Sequence, residues 1–168
     1  MILIAFGSNL PSRAGTSAET VRAALAVLEP KGIFPARVSR LYKTEAWPNP
    51  DEPPFINAVA RVTTALMPSA SLKVLHEIER SFGRIRTVPN APRTLDLDIL
   101  DYESRIEGGP PTLPHPRLDR RAFVLVPLAE VAPEWRHPVS GRTAEELLRD
   151  IPESVDRIVP LSPDHPAL

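Results

Sequence analysis

The run Arg93-Thr94-Leu95-Asp96-Leu97-Asp98-Ile99 alternates polar and apolar residues with period two, the pattern of a β-strand. The alternation predicts Asp96 and Asp98 on one face and Leu95, Leu97 and Ile99 on the other. Two carboxylates about 7 Å apart on a rigid strand suit one or two hard divalent cations that keep part of their water. Arg93, three residues before the first carboxylate, offers a planar fork matched to phosphate oxygens. Together they point to Mg²⁺ and a polyphosphate substrate. A D-x-D pair by itself is equally the polar face of a half-exposed strand, so its surroundings matter. Arg80, Arg84 and Arg86 precede it, and His115, Arg117, Arg120 and Arg121 follow it. Cations on both sides of a carboxylate pair are what a metal–nucleotide complex requires. His115, fixed between Pro114 and Pro116, is placed to donate to a phosphate oxygen. Phe55 and Asn57, two apart on another predicted strand, share a face. An aromatic plane beside an amide suits a flat heterocycle, whose ring stacks while the amide reads its edge. Trp47, in a proline-rich stretch, suits a lid.

The elements that must carry these groups follow from local signals. Residues 2–6 form a continuous apolar strand that ends at Gly7-Ser8-Asn9, a turn signal. Thr16-x-x-Glu19 reads as a capping box opening a helix with Val21, Ala24, Leu25 and Leu28 inward, closed at Lys31-Gly32. A second strand is expected over 37–44, a long loop over 45–54, and a third strand over 55–66 with Ile56, Ala58, Ala60 and Val62 on one face. Pro68 opens a second helix with Leu72, Leu75, Ile78 and Phe82 inward, stopped by Gly83. A loop over 84–92 leads to a strand over 95–102, and short helices are expected over 121–131 and 143–149. The order strand, helix, strand, strand, helix, strand is the ferredoxin-like βαββαβ form of an α+β fold. A single domain spanning 1–168 is expected, with its core over about 1–150 and a proline-rich, loosely packed tail over 152–168.

Composition narrows the partners. Hydrophobic residues make up 42% and charged residues 24%, which is ordinary for a globular protein. A net charge of −1 gives no overall field to attract nucleic acid or an acidic membrane, so positive charge must act locally. Only Lys31, Lys43 and Lys73 among the 20 basic residues are lysines, and the preference for arginine fits bidentate phosphate recognition. The absence of cysteine excludes disulfides, thiolate zinc sites and a cysteine nucleophile and fits a cytoplasmic location. No apolar run approaches the ~20 residues of a membrane span, and the apolar start is too short for a signal peptide. No P-loop, H-E-x-x-H or G-x-S-x-G motif is present.

Several stretches carry a resemblance. They are Gly7-Ser8-Asn9-Leu10, Tyr42-Lys43-Thr44, Phe55-Ile56-Asn57-Ala58, residues 79–86, residues 92–99, Pro114-His115-Pro116 and residues 121–128. In content and order, over about residues 1–130, the chain resembles the 6-hydroxymethyl-7,8-dihydropterin pyrophosphokinases of folate biosynthesis. The resemblance implies transfer of the diphosphate of ATP to the hydroxymethyl oxygen of a reduced pterin, with release of AMP. It implies two Mg²⁺ on Asp96 and Asp98, phosphate clamping by Arg84 and Arg93, and Arg86 on a closing loop. His115 and Arg121 would steady the nucleotide, Ile99 and Thr112 would lie near its base and ribose, and Glu79 would help fix the site. Phe55 and Phe123 would sandwich the pterin, Asn57 and the backbone near Thr44 would read its edge, and Trp47 would cover it. Pro48, which stiffens the first loop, and Asn90 depart from the family pattern in the two loops that would close over the nucleotide, and Asp119-Arg120 departs from it just before Arg121, so Asp119 and Arg120 receive no role. A monomer acting on small molecules, with neither nucleic acid nor membrane as partner, is expected. Two other classes are compatible with the carboxylate pair or the fold: a two-metal phosphohydrolase or nuclease, and a ferredoxin-like RNA-binding module.

Overall fold

A computed structural model describes residues 1–46, 49–85, 91–152 and 157–162. Strand β1 (Ile2–Ser8) lies at the middle of an antiparallel sheet, paired on one side with β4 (Phe55–Thr64) and on the other with β5 (Asp96–Tyr102). On the far side of β4 come two short strands, β2 (Ile33–Val38) against residues 60–64 and β3 (Tyr42–Thr44) against residues 55–57. A last strand, β6 (Val159–Pro160), pairs with β3. The fold is therefore mixed α+β, with helices on both faces of the sheet.

One face packs on α1 (Ser17–Ala26) and α2 (Pro68–Ser81). Thr16 and Glu19 form the expected capping box, and Val21, Ala24, Leu28, Leu75, Ile78 and Phe82 are buried against Ile56, Ala58, Ala60 and Val62. The other face packs on α3 (Ala122–Val131) and α4 (Ala144–Leu148), through Leu3, Val59, Leu100, Leu125, Leu128 and Trp135. Alternation along β4 thus feeds both cores.

Three features differ from the sequence expectations. The single strand expected over 37–44 begins at Ile33 and is cut in two at Ser39. The Ser39 hydroxyl accepts from Val59 N–H at 3.0 Å and donates to Arg40 C=O at 2.8 Å, so a side chain takes over one rung of the ladder. The tail expected to pack loosely contributes β6, and Leu161 N–H donates to Leu41 C=O at 2.8 Å. In β5 the alternation breaks where the register against β1 shifts between Leu3 and Ile4. Leu100 and Asp101 there act together as a bulge.

That bulge gives the third acid of the run a structural task. Asp101 is fully buried, accepts Trp135 Nε1–H at 2.6 Å and Ser104 N–H at 2.9 Å, and so ties β5 to the chain after α3. Asp101→Ala would strand a buried indole N–H and is expected to destabilise by about 2–4 kcal/mol. Denaturant unfolding checks the stability loss, and ligand affinity at 25 °C, measured by calorimetry, should stay within about threefold.

Candidate active site

A cavity of about 380 Å³ opens on the α3 side of the sheet, above the ends of β1, β4 and β5. The strands place its floor. Gly7 of β1 is in register with Asn57 of β4 on one side and Asp96 of β5 on the other. A Cβ at position 7 would come within 3.4 Å of Asn57 Oδ1, so glycine leaves the space between the amide and the carboxylate open. Thr44, Phe55, Asn57, Arg93, Asp96, Asp98, Arg121 and Phe123 all line this one cavity.

Its two ends differ chemically. At one end Asn57 Nδ2–H donates to Thr44 Oγ1 at 2.8 Å, which holds the amide, and the Phe55 and Phe123 side chains line the same cavity. The Arg93 guanidinium lies 5.2 Å from the Phe55 ring centre and that of Arg121 lies 5.4 Å from the Phe123 ring centre, both within cation–π range. At the other end stand the carboxylates. Arg84 Nη1 donates to Asp96 Oδ1, to Glu79 Oε1 and to Leu95 C=O. Arg93 Nε lies 2.9 Å from Asp96 Oδ2 as an ion pair, although its N–H is not aimed for a hydrogen bond. Glu79, only 2% exposed, also accepts Leu97 N–H at 2.9 Å, so a buried carboxylate from α2 holds the start of β5.

Asp98 stands apart from this network. Its Oδ2 lies 3.9 Å from His115 Nε2. The carboxyl of Asp98 is pushed above its usual range, first by burial in the concave floor and then by the charge of Asp96, against the pull of His115, Arg121 and Arg84. The side chain keeps 41% of its surface open, so the group is crowded yet reachable. His115 is pushed below its ordinary value, chiefly by burial, with Arg121 and Arg117 adding to the effect. Its Nδ1 accepts Arg117 N–H at 3.2 Å, which assigns the neutral ring's proton to Nε2, the atom facing Asp98.

Other expected residues fall elsewhere. The Ile99 side chain is buried in the core on the opposite face of the sheet, and Thr112 is exposed in the turn before the β-bridge partner Leu113. Glu79 and Arg84 support the floor from beneath. Trp47, Pro48, Arg86 and Asn90 lie outside the described residues. Among the lining residues without a substrate role in the sequence reading are Gly7, Glu45, Arg117 and Arg120. The glycine is legible as a turn signal and as part of the Gly7-Ser8-Asn9-Leu10 stretch that carries the resemblance. Arg120, given no role by the resemblance, reaches the cavity from the single turn 118–120, along with Arg117 and Arg121.

The shift on Asp98 has a consequence for stability. Its native proton affinity exceeds that of the unfolded chain, so its contribution favours the fold below the unfolded pKa and is lost as pH rises through the native value. At neutral pH its charge is a net cost. Asp98→Asn is expected to raise the Tm of metal-free protein at pH 7, and the gain should vanish in acid. Scanning calorimetry at both pH values checks this; a gain that grew on acidification would contradict the assignment.

Comparison with known proteins identifies the family. A sequence model described as 7,8-dihydro-6-hydroxymethylpterin-pyrophosphokinase (HPPK) matches residues 3–133. A 2-amino-4-hydroxy-6-hydroxymethyldihydropteridine pyrophosphokinase of Synechocystis sp. is 43% identical over 121 residues, 71% of this chain and 62% of that protein. One of the same name from Pseudomonas aeruginosa is 40% identical over 161 residues, 94% of this chain and 96% of that protein. The folic acid synthesis protein fol1 of Schizosaccharomyces pombe is 36% identical over 157 residues, 92% of this chain but 21% of that much longer protein. The chain thus spans less than two thirds of the Synechocystis and S. pombe relatives, and nearly all of the Pseudomonas one. With the family model covering most of its length, the chain belongs to the 7,8-dihydro-6-hydroxymethylpterin-pyrophosphokinase family.

Proposed function

We propose that this protein transfers the β,γ-diphosphate of ATP to the hydroxymethyl oxygen of 6-hydroxymethyl-7,8-dihydropterin, releasing AMP, in folate biosynthesis. The observation that carries this reading is one cavity that joins a ring-binding end, Phe55, Asn57 and Phe123, to a carboxylate–arginine end, Asp96, Asp98, Arg93 and Arg121. A flat heterocycle and a polyphosphate are needed side by side only if one reacts with the other. In this reading Phe55 and Phe123 hold the faces of the pterin, and Asn57 with the Thr44 segment reads its edge. Arg84, Arg93 and Arg121 gather the phosphate oxygens, with Arg86 closing over them. His115 donates from Nε2, Glu79 keeps Arg84 in place, Thr112 borders the ribose, and Trp47 covers the pterin, whereas the Ile99 side chain, buried on the opposite face of the sheet, takes no part.

The donor set fits Mg²⁺. Asp96 and Asp98 would offer hard oxygen donors from one face of β5, and part of the raised proton affinity of Asp98, after burial, comes from the charge of Asp96, which a bound cation would offset. Among the described residues no group of three or more acidic, histidine or cysteine side chains clusters as a complete metal cage. That suits Mg²⁺, which keeps waters and substrate phosphates in its shell. We assign two Mg²⁺ to these aspartates; when bound they neutralise phosphate charge and act as Lewis acids. The protein's own part is positioning and charge stabilisation, which is most of what phosphoryl-type transfer asks of an enzyme. A hydrolase on the same carboxylates has no support, since the paired rings have no use in hydrolysis.

The strand order β5-β1-β4, continued by the broken edge of β2 and β3, is read here as ferredoxin-like. The chain is read as one domain working as a cytoplasmic monomer, without nucleic acid as partner. No helix among the described residues is long and apolar enough to cross a membrane.

AMP formation from ATP should require both the pterin and Mg²⁺; phosphate or ADP release without pterin would refute the reading. Asp96→Ala and Asp98→Ala are each expected to lower kcat at least about 100-fold with circular dichroism unchanged. Arg93→Ala should lower kcat more than it weakens pterin binding, as steady-state kinetics beside pterin titration will show.

A further inference from the structure

Asn9 is a buried polar residue just beyond β1, 2% exposed, and outside the cavity lining. Its hydrogen bonds run to two different segments. Asn9 Oδ1 accepts Arg93 N–H at 2.8 Å, while Asn9 N–H and Leu10 N–H donate to Arg93 C=O at 3.1 and 3.2 Å. On its other side Asn9 Nδ2–H donates to Pro53 C=O at 3.2 Å. Pro53 is two residues before Phe55, and the Arg93 guanidinium lies over the Phe55 ring and against Asp96. The contacts close a circuit: Asn9, the Arg93 backbone, the Arg93 guanidinium, Phe55, Pro53 and back to Asn9. Both ends of the amide are used, an acceptor toward an N–H and a donor toward a carbonyl, so its orientation is fixed by its partners. Aspartate offers only the acceptor, and alanine offers neither.

We propose that Asn9 is a positioning residue that couples the two halves of the cavity, setting the phosphate-facing Arg93 and the ring-facing Phe55 relative to each other through one side-chain amide. This rests on the function proposed above, because it gives each half a substrate. The pterin and nucleotide halves then bind cooperatively through a residue that touches neither ligand. A buried amide satisfied on both sides is costly to remove singly, so the link is stiff.

The test uses the full chain, Asn9→Ala and Asn9→Asp. Amide exchange on the protein without added ligand reads the link itself: in Asn9→Ala, protection should fall at Arg93 and also at Phe55, whose own amide Asn9 does not touch. Calorimetry then reads the coupling, as the affinity of a non-hydrolysable ATP analogue with Mg²⁺, with and without 6-hydroxymethylpterin. The parent should gain at least fivefold in nucleotide affinity when pterin is present, and Asn9→Ala should gain less than twofold. Asn9→Asp, which keeps the Arg93 contact and loses the one to Pro53, should keep nucleotide affinity more nearly than pterin affinity, and it carries the test if Asn9→Ala does not fold. Faster exchange at Arg93 alone, or equal loss of both affinities with the coupling factor unchanged, would overturn the proposal. Failure of the parent to form AMP would instead refute the proposed function, leaving the exchange result to decide whether Asn9 links the two segments.

Discussion

The fold and the site share one constraint, the charge balance where the end of α2 meets the start of β5. Glu79 is buried and must be paired; it takes Leu97 N–H and Arg84. Arg84 then needs the second carboxylate of Asp96 to complete its own surroundings, and Arg93 closes the set on the far oxygen. Breaking such a buried pair leaves an uncompensated charge, which costs roughly 3–5 kcal/mol. The position of β5 against α2 is therefore fixed by Glu79 and Arg84 beneath the floor together with Asp96 and Arg93, which line the cavity. Asp98, one strand repeat further on, has no arginine within ion-pair distance among the described residues, and burial first and the charge of Asp96 second raise its carboxyl against the pull of His115, Arg121 and Arg84. Neighbouring carboxylates on a single strand thus differ in character because one is anchored and the other is only crowded.

Local signals are the legible ones. The capping box at Thr16 and Glu19 works within a single turn, and the Pro68 start and Gly83 stop of α2 work within one helix. The face shared by Phe55 and Asn57 needs only the geometry of a strand, as does that shared by Asp96 and Asp98, and both pairs reach the cavity. What sequence reading misses depends on partners far along the chain. The bulge that turns Asp101 toward Trp135 is set by register against β1, and nothing between residues 95 and 102 announces it. Ser39 looks like any strand serine until Val59 is placed beside it. The pairing of Val159 and Pro160 with β3 joins segments over a hundred residues apart and leaves no periodic trace. Gly7 and Asn9 read as a turn, whereas their contacts with Asn57, Asp96, Arg93 and Pro53 exist only once three strands are side by side.

The site also divides its labour by element. The rings, amide and carboxylates that need accurate placement sit on β4, between β1 and β3, on β5, held by β1 and by Glu79, and on the first turn of α3. The arginines sit on connections: Arg84 after α2, Arg93 before β5, and Arg117, Arg120 and Arg121 around the single turn at 118–120. Stacking and metal coordination are lost with displacements of a fraction of an ångström, so they belong on rigid backbone. Charge attraction to a triphosphate falls off gently with distance, and long guanidinium side chains can follow its oxygens. The broken edge of the sheet serves the same division. Ser39 ends β2 early, and β3 resumes only for the three residues that flank Phe55, Ile56 and Asn57. Tyr42, from that short strand, donates to Glu130 of α3 at 2.7 Å, while Arg40 pairs with the same carboxylate. The end of the cavity formed by Phe55 and Asn57 is thus braced from the sheet and from the helix that carries Phe123.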